Sequence, residues 1–268
     1  MNERIKYSPL PETDKVRAVT PKVVLIDSTE NPEQTVAVAI RQCYSAIGAA
    51  DLLEKISEEQ RARLIRQVMA SGHHSTIEHA YFNFAIEGIS RAASHQLVRH
   101  RIASYSQQSQ RYVEFKAGKK FDIIIAPSIL KNKELTEAFV ESAENSFDLY
   151  RQFIDAKIPG EDARLLLPNM AATKIVTSMD ARSLFNFLEV RLCKRAQWEI
   201  RWAAALMKKQ LMEKAPNIFK YTGPTCHTEG ICWEGNLACD IPSKNPNVEL
   251  RERFARIIKN SDGPRVLI

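Results

Sequence analysis

Apolar and polar residues alternate along this chain with two different periods. Phe82, Phe84 and Ile86 are separated by Asn83, Ala85 and Glu87, the spacing of a strand with one buried face. Lys22 to Ile26 (KVVLI), FDIIIAP from Phe121 and TKIVTSM from Thr173 are three further strand candidates. Helical stretches are expected from about Pro32 to Ala50, in RARLIRQVMA from Arg61, and over Lys133 to Asp155, Ala181 to Cys193 and Gln197 to Lys214. Ser57 and Gln60 form a capping-box pattern ahead of the second of these. Gly88 is expected to end its strand, with Ser90 capping a helix from Arg91 to about Arg101. From Tyr221 onward the chain is rich in Pro, Gly, Asn and Cys and reads as irregular until a last short helix near Asn247 to Lys259. Regular strand–helix alternation is absent. The fold class is therefore α+β, a modest mixed or antiparallel sheet packed with long helices. Residues 1–220 read as one domain and 221–268 as an irregular extension.

Composition narrows the setting. With 268 residues, 44% of them apolar, the chain can bury a large core. No apolar run approaches the roughly 18 residues of a membrane span, and the N-terminus has no signal-peptide stretch, so a cytoplasmic protein is expected. Five cysteines, an odd number, argue for reduced thiols rather than a disulfide frame. The net charge of +6 suggests anionic partners.

The densest chemistry lies in RHRIASYSQQSQRY, Arg99 to Tyr112. Three arginines and a histidine are interleaved with neutral hydrogen-bonders, and three readings compete. A polymer binder would spread its charge along an extended face with exposed aromatics, whereas here the charge is concentrated. A serine nucleophile (Ser109 with His100 as base) would need a Gly-x-Ser-x-Gly elbow, which none of these serines has. Neutral donors beside arginine suit a base plus a phosphate, so a small phosphorylated ligand fits best. Helical spacing would put Gln96, Arg99 and His100 on one face of the preceding helix, and cations at its C-terminal end also complement the helix dipole.

The run Arg99-His100-Arg101, then Ser104, Ser109 and Arg111, resembles the signature of the flavin-dependent thymidylate synthases. GHHSTIEH (Gly72 to His79) and DARSLFNFLEVR (Asp180 to Arg191) are similar to two other segments of that family, in the same order, so the resemblance runs from about Val23 to Ile218. It implies an enzyme, a methyltransferase of nucleotide biosynthesis, that converts deoxyuridine monophosphate (dUMP) to dTMP. Methylenetetrahydrofolate would supply the carbon, FAD would relay it and deliver a hydride, and NADPH would reduce the flavin. The family also implies a homotetramer with active sites between subunits, taking small molecules rather than nucleic acid or membrane. Rival readings are a basic nucleic-acid-binding module and a flavin-binding relative without synthase activity.

Carried over position by position, the resemblance assigns Gln96, Arg99, Gln107, Ser109, Gln110, Arg111, Arg164 and Arg191 to dUMP. To FAD it assigns Ser45, His73, Ser75, Glu78, Arg99, His100, Arg101, Gln107, Asp180, Arg182 and Asn186. Three positions depart from the family pattern: Ser106 stands in place of Asn, Gln107 in place of Glu, and Asp180 in place of Asn. Ser75-x-x-Glu78 also has the form of a capping box, and Ser45 reads equally as a buried helix serine. Arg182 and Asn186 share a helix face, with Arg191 about 180° around. Arg191 is assigned the central chemical role, favouring loss of the uracil N3 proton so that C5 becomes a nucleophile; a fixed guanidinium stabilises that anion without changing protonation itself. Cys193 reads as a short apolar core residue. The tail holds Cys226, His227, Cys232 and Cys239, but no Cys-x-x-Cys knuckle, so no metal is expected.

Overall fold

The structure is a computed structural model and describes residues 9–115 and 119–228, together with Cys232, Glu234 and Cys239. The expected helix near Asn247 to Lys259 lies outside them.

Four strands form one antiparallel sheet in the order β2 (Lys22–Ser28), β3 (Tyr81–Ser90), β6 (Ala172–Asp180) and β4 (Ser104–Gln107). The pairing register decides which side chains share a face, because successive residues point to opposite sides. Leu25, Phe84, Thr177 and Tyr105 stand in one row, turned to the core, while Val24, Ala85, Val176 and Ser106 form the neighbouring row on the other face. The remaining pair, β1 (Val16–Ala18) and β5 (Phe121–Ile123), is parallel and separate. The FDIIIAP strand thus exists but does not join the main sheet.

Two apolar clusters hold these pieces. The larger packs Phe82, Phe84, Ile86, Leu184, Phe187, Ala204 and Met207 between the sheet and helices α8 (Ala181–Arg191) and α9 (Trp198–Lys214). The smaller packs Phe121, Phe147 and Tyr150 beneath α6 (Lys133–Asp155), with Phe121 and Phe147 stacked at 4.8 Å. Each such fully buried aromatic contributes roughly 1.5–3 kcal/mol by leaving water.

Several expectations need correction. The stretch from Pro32 to Ala50 is two helices, α1 (Pro32–Gln42) and α2 (Ala49–Lys55), parted by a turn that contains Gly48, the extended N-cap of α2. Ser45 lies in that turn, half-buried, and its Oγ accepts from Ile47 N at 3.3 Å; it is not a helix serine. Gly88 does not end β3. It sits at a bulge between Glu87 and Ile89 with φ of 69°, and a Cβ there would stand 2.3 Å from the Thr20 carbonyl oxygen. Only glycine bends the strand at such a close approach, after which pairing resumes to Ser90.

Helix α4 (Arg91–Leu97) begins where expected, with Ser90 Oγ accepting from Ala93 N at 3.0 Å, but it stops four residues early. Ile102 takes a positive φ of 62° and the chain then enters β4. The Ser57 capping box at α3 (Glu58–Ser71) is present in both directions. At Ser75 no box forms: His74–His79 is a 3-10 helix whose N-cap is His73, which leaves Ser75 inside the turn.

Candidate functional site

The sheet and α4 together place the motif of Arg99 to Tyr112. Because α4 ends at Leu97, Gln96, Arg99 and His100 do not share a helix face. Gln96, Arg99 and Arg101 are exposed, whereas His100 is only 8% exposed and packs edge-on against Phe187 at 5.2 Å. Burial, followed by repulsion from the Arg191 guanidinium, pushes the His100 pKa down, so the ring is held neutral. Its Nε2 has no hydrogen-bond partner, and Ser109 Oγ accepts from Arg111 N at 3.1 Å. A Ser109–His100 nucleophile pair is therefore not assembled.

Arg191, at the last turn of α8, reaches the end of α4, where its Nη2 donates to the Gln96 carbonyl at 3.2 Å. Its Nε is buried and unpartnered, and burial lowers its pKa. Among the described residues no carboxylate forms an ion pair with it, which leaves a partly desolvated guanidinium with donors to offer. Tyr105 stands beside it on β4, its hydroxyl donating to the His100 carbonyl at 3.2 Å. Burial pushes this phenol up to about 12, against the attraction of Arg191. Sequence reasoning missed Tyr105; its inward parity in Ser104–Gln107 becomes visible once that stretch is known to be a strand.

Gln107 also faces inward, its Nε2 donating to Ser94 Oγ at 3.0 Å and Thr173 Oγ1 at 3.1 Å. Its amide is tied to the protein interior, where the family's carboxylate could not donate.

A second patch gathers around α7 (Gly160–Ala163). Arg111 forms a fork onto Glu161, with Nη2–Oε2 2.7 Å and Nε–Oε2 2.9 Å. Arg164 Nε donates to the Glu161 carbonyl at 3.2 Å, and Arg91, whose pKa is lowered by burial and then by Arg164, lies near. Gly160 lets this turn close on the Gln110–Arg111 backbone, since a Cβ would meet the Arg111 carbonyl oxygen at 3.0 Å. Arg91 and Glu161 were not anticipated from the sequence.

A third patch joins the 3-10 helix to α8. Glu78 pairs with Arg182 at 2.5 Å, with Ser75, His73 and Asn186 exposed nearby in sequence. Asp180 is the N-cap of α8, accepting from Ser183 N and Ser183 Oγ, both at 2.8 Å. The carboxylate that replaces the family's amide is thus engaged in a cap, a structural role not foreseen.

Elsewhere, a groove of about 690 Å³ runs along α6, walled by Glu12, Glu137, Glu141 and Glu144 with Lys131 and Lys133. Four carboxylates make it unsuited to a phosphate. Among the described residues no helix is long and apolar enough to cross a membrane.

Arginines and neutral hydrogen-bonders gathered beside a small antiparallel sheet define the class, an α+β protein. Residues 24–217 match the family profile described as "Thymidylate synthase complementing protein". A flavin-dependent thymidylate synthase from Geobacter sulfurreducens is 47% identical over 218 residues, 81% of this chain and 93% of its own length. Its counterpart from Clostridium tetani is 44% identical over 234 residues, covering 81% and 92%. The crystal structure of a UMP/dUMP methylase from Streptomyces cacaoi, bound with 5-Br dUMP, shares the fold with a TM-score of 0.66 at 24% identity, covering 77% of this chain and 95% of that one. The chain belongs to the flavin-dependent thymidylate synthase family and is an enzyme of the methyltransferase class.

Proposed function

We propose that this enzyme methylates dUMP to dTMP, with methylenetetrahydrofolate as carbon donor, FAD as bound cofactor and NADPH as reductant. The observation that carries this reading is Arg191, partly desolvated, held by the Gln96 carbonyl and unpaired with any carboxylate among the described residues. Such a guanidinium is suited to an anion that forms during reaction, because it need not be reorganised when the charge appears.

Arg191 lies against the uracil and favours loss of the N3 proton, which makes C5 nucleophilic. Gln96, Arg99, Gln107, Ser109, Gln110, Arg111 and Arg164 hold the nucleotide, the arginines by forking onto phosphate oxygens. Ser45, His73, Ser75, Glu78, Arg99, His100, Arg101, Gln107, Asp180, Arg182 and Asn186 hold the flavin. When bound, flavin supplies the one-carbon relay and the hydride. The unpartnered nitrogens of Arg191, His100 and His74 fit this reading, since buried polar groups without partners are rare unless a ligand completes them.

The active unit is a homotetramer in the cytoplasm, with sites completed between subunits. One feature supports assembly: the outer sheet face leaves Val24, Ile26, Tyr81 and Val176 between 40 and 55% exposed, an apolar surface suited to a second copy.

The test is tritium release from C5-labelled dUMP with folate and NADPH, on protein whose released chromophore is identified as FAD. Arg191→Ala should abolish release while FAD stays bound. Full turnover in that variant, or protein without flavin that binds oligonucleotides tightly and with steep salt dependence, overturns the proposal.

A further inference from the structure

Arg111 and Arg164 come from distant parts of the chain, and a single residue, Glu161, holds both. Its carboxylate oxygen Oε2 accepts from Arg111 Nη2 at 2.7 Å and from Arg111 Nε at 2.9 Å. Its main-chain carbonyl accepts from Arg164 Nε at 3.2 Å. The backbone of Arg111 is fixed as well: its N–H donates to Ser109 Oγ at 3.1 Å, and a Cβ on Gly160 would meet its carbonyl oxygen at 3.0 Å. Tyr112 adds a further restraint, with the Arg111 guanidinium carbon 5.4 Å from its ring centre. The Arg111 and Glu161 side chains are 48% and 50% exposed, and an ion pair so open to water adds little to folding stability. What the contact fixes is direction. A guanidinium carries five N–H donors in one plane. Glu161 takes the edge of Arg111 formed by Nε and one hydrogen of Nη2, which leaves Nη1 and the second Nη2 hydrogen without a partner among the described residues. Arg164, held through Nε, likewise keeps both terminal nitrogens to offer.

We propose that Glu161 is the positioning residue of the nucleotide's phosphate subsite: its carboxylate orients Arg111, and its carbonyl orients Arg164, so that the open ends of both guanidiniums serve one phosphate. This rests on the reading that the enzyme binds dUMP. A phosphate is held best by forks whose hydrogens already point at its oxygens, because an arginine that is free to rotate loses that freedom on binding. Glu161 removes the freedom before the nucleotide arrives. Its charge has the wrong sign to touch phosphate, so it acts through the two arginines and not on the ligand. The rival role for the same contact is competition, in which Glu161 occupies the phosphate's own place on Arg111 and has to leave. The two roles predict opposite signs: a positioning residue strengthens nucleotide binding, and a competitor weakens it.

The experiment is calorimetric titration of the flavin-loaded full chain with dUMP, for wild type, Glu161→Ala, Glu161→Gln and Asp162→Asn. Glu161→Ala should bind dUMP roughly tenfold more weakly, about what one charge-assisted hydrogen bond is worth, and the loss should appear in KM for dUMP rather than in kcat. Glu161→Gln, whose amide oxygen accepts from the same two N–H groups, should recover most of the affinity. Asp162→Asn removes an equal charge from the next exposed position and should bind as wild type does. Deoxyuridine, which lacks the phosphate, should bind wild type and Glu161→Ala alike, a result that general loosening of the fold would not give. Tighter dUMP binding by Glu161→Ala, unchanged affinity, or Glu161→Gln as weak as Glu161→Ala overturns the assignment. Wild-type enzyme that fails to bind dUMP refutes the nucleotide reading itself and takes this assignment with it, an outcome distinct from dUMP binding that is indifferent to Glu161.

Discussion

Removing a single oxygen atom from Tyr105 probes how the turn of Arg99 to Arg101 is held. The hydroxyl donates to the His100 carbonyl at 3.2 Å from the inner face of β4 and lies close enough to Arg191 for each to act on the other's ionisation. Tyr105→Phe keeps the ring in the core and deletes that bond, which at part-buried depth costs about 0.5–1.5 kcal/mol. Global unfolding by urea should therefore shift modestly. The functional cost should be larger, because a displacement near 1 Å in a reacting array can lower turnover by about 10²-fold. We expect tritium release from dUMP to fall by roughly 10- to 100-fold, chiefly in kcat, with FAD retained. Because burial holds the phenol at about 12, above its ordinary 10.0, it stays a donor at any working pH. Its contribution to stability is present below pH 10 and lost as pH rises through about 12. Wild-type kcat in Tyr105→Phe would refute the idea that this hydroxyl positions the site.

Three further outcomes follow from the packing. His100 has its pKa lowered by burial and then by Arg191, so its neutral form contributes stability above the ordinary value of 6.5 that is lost as pH falls below it; His100→Phe should flatten this acid limb in denaturation midpoints taken across that range. Glu199, 3% exposed, accepts from Ser90 N at 2.6 Å, Ser90 Oγ at 3.0 Å and Gln197 Nε2 at 2.8 Å; Glu199→Ala should destabilise by roughly 2–4 kcal/mol in urea melts, and a loss under about 1 kcal/mol would show that these donors find other partners. Gly88→Ala drives a Cβ against the Thr20 carbonyl at a positive φ and should cost more than about 2 kcal/mol, read as a lower Tm.

The chain's own pattern was enough for the helices that pack by amphipathic stripes. Lys133–Asp155 has the expected bounds, and α9 starts within a residue of them, because one side of each is apolar at helical spacing along its length. The alternation around Phe82 to Ile86 likewise sufficed for β3. The arginine motif and its two companion segments were sufficient to identify the family, since their residue types are demanded by chemistry rather than by packing. Tertiary structure decided the rest. Whether Gly88 stops a strand or bulges it depends on the Thr20 backbone, far away in sequence, and whether residues after Leu97 continue a helix depends on β4 finding β6. The inward parity of Tyr105 and Gln107 and the fork of Arg111 on Glu161 depend on contacts between distant positions. No local period encodes them, because each is fixed by register and chain reversal rather than by the residue's own neighbours.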